Sequence, residues 1–129
     1  MYENCPDIDA VDLNLGCPQG IAKKGHYGSF LQEEPELIFN ILKKAVDENP
    51  PTEDKKIKIT AKIRILDTWE ETKNYIDKLC STGIKSICIH GRRREMKAAK
   101  TGLADWKIIK KSFEFVKEKY PRSEEHTSE

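Results

Sequence analysis

The chain has 129 residues, 37% of them hydrophobic, and carries 23 basic against 22 acidic side chains for a net charge of +1. That length suits one compact domain, and the near-balance of charge excludes nucleic-acid binding through bulk positive charge, so any such affinity must come from local clusters. No signal peptide, transit peptide or bilayer-length apolar run is visible, which predicts a soluble intracellular protein, cytoplasmic or nuclear, with no membrane partner.

In chain order, residues 1–6 read as the tail of an element that begins earlier, and Ala10 to Leu15 as the first strand. A loop follows with Cys17 between Gly16 and Pro18, then Lys23, Lys24, His26 and Tyr27. Pro35 suits a first helical position, and Leu37, Ile38, Ile41, Leu42, Ala45 and Val46 recur at helical spacing behind it. Asn49 to Lys56 is a polar connector, and Ile57 to Ile65 the second strand. Asp67 or Thr68 caps the next helix, with a buried face of Trp69, Tyr75, Ile76 and Leu79 and a stop at Gly83. A third strand runs from Lys85 to Ile89, then a basic loop, then a helix capped by Asp105 with Ile108, Ile109, Phe113 and Val116 inward. Trp69 and Trp106, at helix starts, read as packing anchors.

The four cysteines, 5, 17, 80 and 88, form no CxxC pair and no other ligand rhythm, so no metal site is expected. Cys80, on an apolar helix face, and Cys88, inside a strand, read as small core residues, and reduced thiols fit an intracellular setting.

Strand, helix, strand, helix, strand, helix predicts parallel βα units. Within the strands, Val11, Leu13 and Leu15 oppose Asp12 and Asn14; Ile59, Ala61, Ile63 and Ile65 oppose Thr60, Lys62 and Arg64; Ile87 and Ile89 oppose Ser86, Cys88 and His90. A doubly wound sheet, covered by helices on both faces, would favour apolar residues on both. One polar face instead predicts an α/β fragment of a TIM (β/α)8 barrel with about three βα units, the polar face pointing inward and its charged members at the carboxyl ends of the strands.

Specific strings add to that pattern: DLNLGCPQ at 12–19, GHYGSFLQ at 25–32, AKIR at 61–64, IHGR at 89–92 and TGLADW at 101–106. Together they resemble the tRNA-dihydrouridine synthase family, in particular the eukaryotic branch acting at positions 16 and 17 of tRNA. Arg93, Met96 and Ala98 depart from the Thr, Gln and Gly usual there. The resemblance covers about Cys5 to Lys117 and implies a partial barrel over residues 1–121, entering after the second strand and ending after the fifth helix.

It also implies roles. Cys17 would be the catalytic proton donor to C5 of uracil while reduced FMN, itself reduced by NADPH, delivers hydride to C6. Asn14, Lys62 and His90 would hold the flavin, with Asn14 within reach of the flipped uracil. Arg64 and Arg92 would lie against the substrate. Read from the residues alone, Lys62 and Arg64 on one strand face are two cations in want of something anionic. A Cys–His hydrolase using His26 or His90 would need a third orienting group, and none stands at recognisable spacing.

Arg92 to Lys100 holds five cations and one acid, and with Lys23 and Lys24 it frames one mouth from two loops. Such runs are commonly solvated loops. Here the two together point to tRNA phosphate contacts, through Lys97 and Lys100 in particular. Arg122 to Glu129, RSEEHTSE, resembles the in-frame translation of a sequencing-adapter oligonucleotide and, lacking apolar residues, is expected to be disordered. A second functional class remains open: a catalytically silent RNA-binding polypeptide that keeps the basic mouth but no flavin site.

Overall fold

The computed structural model describes residues 8–16, 20–48, 57–93, 95, 102–121 and 124–128, with 20–22 and 124–128 described by backbone alone. Strand β1 (Ala10–Leu15) leads to a short helix α1 (Gly20–Gly25), a 3₁₀ turn (Gly28–Glu33) and helix α2 (Pro35–Asp47). Then come β2 (Lys58–Arg64), α3 (Trp69–Cys80), β3 (Ser86–His90), α4 (Trp106–Lys119) and β4 (Glu124–Ser128).

The strands lie in the order β1-β2-β3-β4, every neighbouring pair parallel. Sequential order with a helix between each pair of strands up to β3 is the progression of a barrel wall; a doubly wound sheet would reverse direction at a switch point.

Helix starts follow local chemistry. Pro35 occupies the first turn of α2, where its missing N–H is no loss. Of the two candidates for the α3 cap, Thr68 holds the position, its hydroxyl accepting from the Glu71 N–H at 3.2 Å. Asp105 caps α4, its Oδ1 accepting from the N–H groups of Lys107 and Ile108, each at 3.1 Å. After α3 the chain turns at Gly83 with φ of +93°, a conformation that favours glycine. At the far ends of the helices, the Tyr120 hydroxyl donates to Asp77 Oδ1 at 2.5 Å and Lys119 approaches the same oxygen at 2.9 Å. Those two contacts, the hydrogen bond foremost, hold the Asp77 carboxyl below its usual range.

The register makes the two-faced strands concrete. Leu15, Ile63 and Ile89 stand side by side across three strands, all three fully buried, and Leu13, Ala61 and Ile87 form the next such layer. Ile38 and Leu42 of α2, Ile76 and Leu79 of α3 and Val116 of α4 complete that core. On the opposite face Asn14, Lys62 and Cys88 align, as do Asp12, Thr60 and Ser86, with the Thr60 hydroxyl donating to Asp12 Oδ1 at 2.7 Å. Cys80 is a core residue as expected, but Cys88 is half-buried on the polar face, because strand alternation and not residue type decides its side.

Several expected inward residues face out. Leu37, Ile41 and Phe113 are each more than 40% exposed, and Phe115 in place of Phe113 packs against the core. The reason is position in the row. In its main contacts α3 packs against two α-helices, α2 and α4, whereas α2 meets one α-helix and the 3₁₀ turn, and α4 one α-helix. Trp106, expected as an anchor, is 58% exposed, while Trp69 is half-buried and meets Phe115 edge-on at 6.5 Å.

The expected disorder of 122–129 is corrected over Glu124–Ser128, which forms β4, paired in parallel with β3 from Ser86↔Glu124 to His90↔Ser128. A strand edge presents a row of N–H and C=O groups that any extended segment can pair with, whatever its side chains. Composition bears on docking of side chains; it is silent on this backbone ladder.

Candidate active site

The polar face ends at the carboxyl ends of β1, β2 and β3, and there the strands bring together Asn14, Lys62, Arg64 and His90, with Arg92 two residues beyond. Asn14 is aligned with Lys62, and Arg64 with His90. Cys17, Lys97 and Lys100 lie outside the described residues. Gly16, the neighbour of Cys17, is at the mouth of β1: its N–H donates to the Asn14 side-chain oxygen at 2.9 Å. That bond uses Asn14 as an acceptor within its own strand end and leaves the amide NH₂ as the group that can donate to a ligand.

Arg64 is 9% exposed although it belongs to the polar face. Its Nε donates to the carbonyl of Gly16 at 2.7 Å and its Nη1 to the carbonyl of Arg93 at 3.1 Å. Arg93 in turn pairs with Asp67 at 3.2 Å, and Arg92 donates through Nε to the carbonyl of Gly102 at 2.6 Å.

His90 sits among cations. Burial, followed by the charges of Arg64, Arg92 and Lys62, pushes its pKa down to about 4, so the ring is neutral at physiological pH. Arg92 Nη1 lies 3.3 Å from His90 Nε2. A guanidinium can only donate, so Nε2 accepts and the ring proton is on Nδ1, which is thereby a neutral donor at the mouth.

Gly91 is where the wall and the next helix meet. A side chain there would collide with Ile109 Cδ1 and stand 3.1 Å from Ala104 Cβ, and the Gly91 carbonyl accepts from the Asp105 N–H at 2.6 Å. Lys23 and Lys24 are exposed, at the end of α1 and not on an irregular loop. Among the described residues there is no cluster of metal-ligating side chains, and no helix is long and apolar enough to cross a membrane.

Sequence reasoning missed the backbone carbonyls of Gly16 and Arg93, because a carbonyl has no residue type. The usable signal was Arg64 itself, since a guanidinium in a strand needs acceptors, and the ends of parallel strands supply them.

Comparison with known proteins agrees with this layout. Residues 2–119 match the family described as dihydrouridine synthase (Dus). The chain is 54% identical over 102 residues to a tRNA-dihydrouridine(16/17) synthase of Saccharomyces cerevisiae, covering 79% of this chain and 23% of that protein. It is 49% identical over 104 residues to the counterpart in Schizosaccharomyces pombe, covering 81% of this chain and 25% of the relative. Identity to a human tRNA-dihydrouridine(20a/20b) synthase-like protein is 32% over 108 residues, covering 84% and 33%. The chain thus spans about a quarter of the length of the two yeast relatives. With sheet order, strand-end chemistry and the family match in agreement, the chain belongs to the dihydrouridine synthase family, and its parallel sheet is part of that family's TIM barrel.

Proposed function

We propose that this chain is part of an FMN-dependent tRNA-dihydrouridine synthase that reduces uridine to 5,6-dihydrouridine in the D-loop of tRNA, with NADPH as reductant. The observation that carries this reading is the convergence of Asn14, Lys62, Arg64, His90 and Arg92 at the carboxyl ends of three adjacent parallel strands in a chain of this family.

The residues present suit a flavin. An amide donor on Asn14, a cation on Lys62 and a neutral Nδ1–H on His90 offer donors and positive charge to a ring system rich in carbonyls that becomes anionic when reduced. When bound, FMN supplies the hydride for C6 of the uracil ring. Cys17 supplies the proton to C5, a step open to a protonated thiol acting as general acid. Arg92, Lys97 and Lys100 are the residues assigned to the tRNA, whose phosphates their positive charge matches.

A chimaera tests the reading: the S. cerevisiae 16/17 synthase with residues 8–120 of this chain in place of its matching segment. Mass spectrometry of D-loop nucleosides should show dihydrouridine. A chimaera that binds tRNA and flavin but forms none would overturn the catalytic reading in favour of a silent RNA-binding polypeptide.

Neutralising Lys97 and Lys100 in the chimaera should weaken tRNA binding and flatten its salt dependence, each lost phosphate contact lowering the log–log slope by about 0.7 to 0.9. Flavin affinity should stay put. An unchanged slope would reduce the basic run to a solvated loop.

A further inference from the structure

We propose that Arg64 is a positioning residue: its buried guanidinium ties the carbonyl of Gly16, at the exit of β1, to the carbonyl of Arg93, beyond β3, and so fixes the peptide that leads into Cys17. The inference rests on the proton-donor reading of Cys17 given above.

The geometry distinguishes this role from that of a substrate-facing cation. Arg64 is nearly covered, while Lys62, two residues earlier on the same face, is exposed. A cation waiting for an RNA base would be expected to keep its donors turned to the mouth. Arg64 instead directs Nε and Nη1 to two backbone carbonyls 2.7 and 3.1 Å away, from segments that are 48 and 29 residues distant in sequence.

The Gly16 carbonyl belongs to the peptide bond that joins Gly16 to Cys17. Its other neighbour, the Gly16 N–H, is held by Asn14 Oδ1 at 2.9 Å. Gly16 is therefore gripped on both sides, by its own strand through Asn14 and by β2 through Arg64. A glycine needs this, because without a Cβ its backbone has more freedom than that of any other residue. A planar fork with fixed donors spans two carbonyls held in set directions; a lysine ammonium also has three donors, but they share one atom on a flexible stem and do not reproduce that span.

The burial of a charge also asks for compensation. Carbonyl oxygens at the ends of parallel strands supply partial negative charge, so Arg64 is stabilised by the same two bonds through which it acts. Its charge has a second effect, since it is the largest of the three cationic contributions that keep His90 neutral.

In the chimaera, Arg64→Lys keeps the charge and most of the buried stem but loses the fork whose Nε and Nη1 reach the two carbonyls. It should lower kcat for dihydrouridine formation by about tenfold or more, leave the KM for tRNA within about twofold, and leave flavin reduction by NADPH unchanged. It should also change the rate of Cys17 alkylation by iodoacetamide at least threefold, a readout independent of substrate. Arg64→Gln, which is neutral and shorter, should behave like Arg64→Lys if bridging is what matters. A raised KM with unchanged kcat, or unchanged kcat and alkylation together, would overturn the proposal. Failure of the proton-donor reading looks different: there Cys17→Ala would be as active as the parent chimaera whatever Arg64 did.

Discussion

Cys17→Ala in the chimaera should cut dihydrouridine formation by about 10²-fold or more while NADPH still reduces the flavin at the parent rate. The size follows from what a positioned proton donor contributes, about 10² to 10⁴. The separation of the two half-reactions follows from the proposed role: Cys17 meets the uracil at C5, whereas flavin reduction requires no proton from it. Rapid-mixing absorbance of the flavin and single-turnover nucleoside analysis read the two halves separately. Equal turnover in variant and parent would remove Cys17 from the chemistry.

The largest expected loss of stability comes from Ile63→Ala. Ile63 is fully buried on β2, flanked in register by Leu15 and Ile89, which are fully buried too. Truncation leaves a cavity bounded by two strands and by helices that cannot all move in, so the cost should be about 2–5 kcal/mol. Against the 5–15 kcal/mol that typically holds a domain together, that is a large share. Urea unfolding of the chimaera should show a lower midpoint at constant slope. Lys58→Ala, exposed on the same strand, should stay within about 0.5 kcal/mol of the parent. A cost below 1 kcal/mol at Ile63 would mean that the layer is not packed as described.

Much of this was legible in the residues. The period-2 alternation of Ile59, Ala61 and Ile63 against Thr60, Lys62 and Arg64 named both faces of β2, and the first strand runs from Ala10 to Leu15 as read. Pro35, Thr68 and Asp105 marked helix starts because their chemistry is local. What failed was non-local. Whether Leu37 or Phe113 is covered depends on a neighbouring helix, which helical spacing does not report, and the β4 ladder depends on an available edge, which composition does not report. At the site, alternation placed Lys62, Arg64 and His90 on one face, but not the inward turn of Arg64 onto two carbonyls.

The junction at Gly91 has one more consequence. Its carbonyl holds the Asp105 N–H at 2.6 Å, and Arg92 Nε holds the Gly102 carbonyl at 2.6 Å, so the two ends of the connection from β3 to α4 are stapled side by side. With its two ends already held together, the closure entropy of such a connection depends only weakly on its length. Doubling its length would cost only about 0.6 kcal/mol in closure entropy. Evolution, or an engineer, can therefore vary its length and sequence while the strands beneath it keep their register.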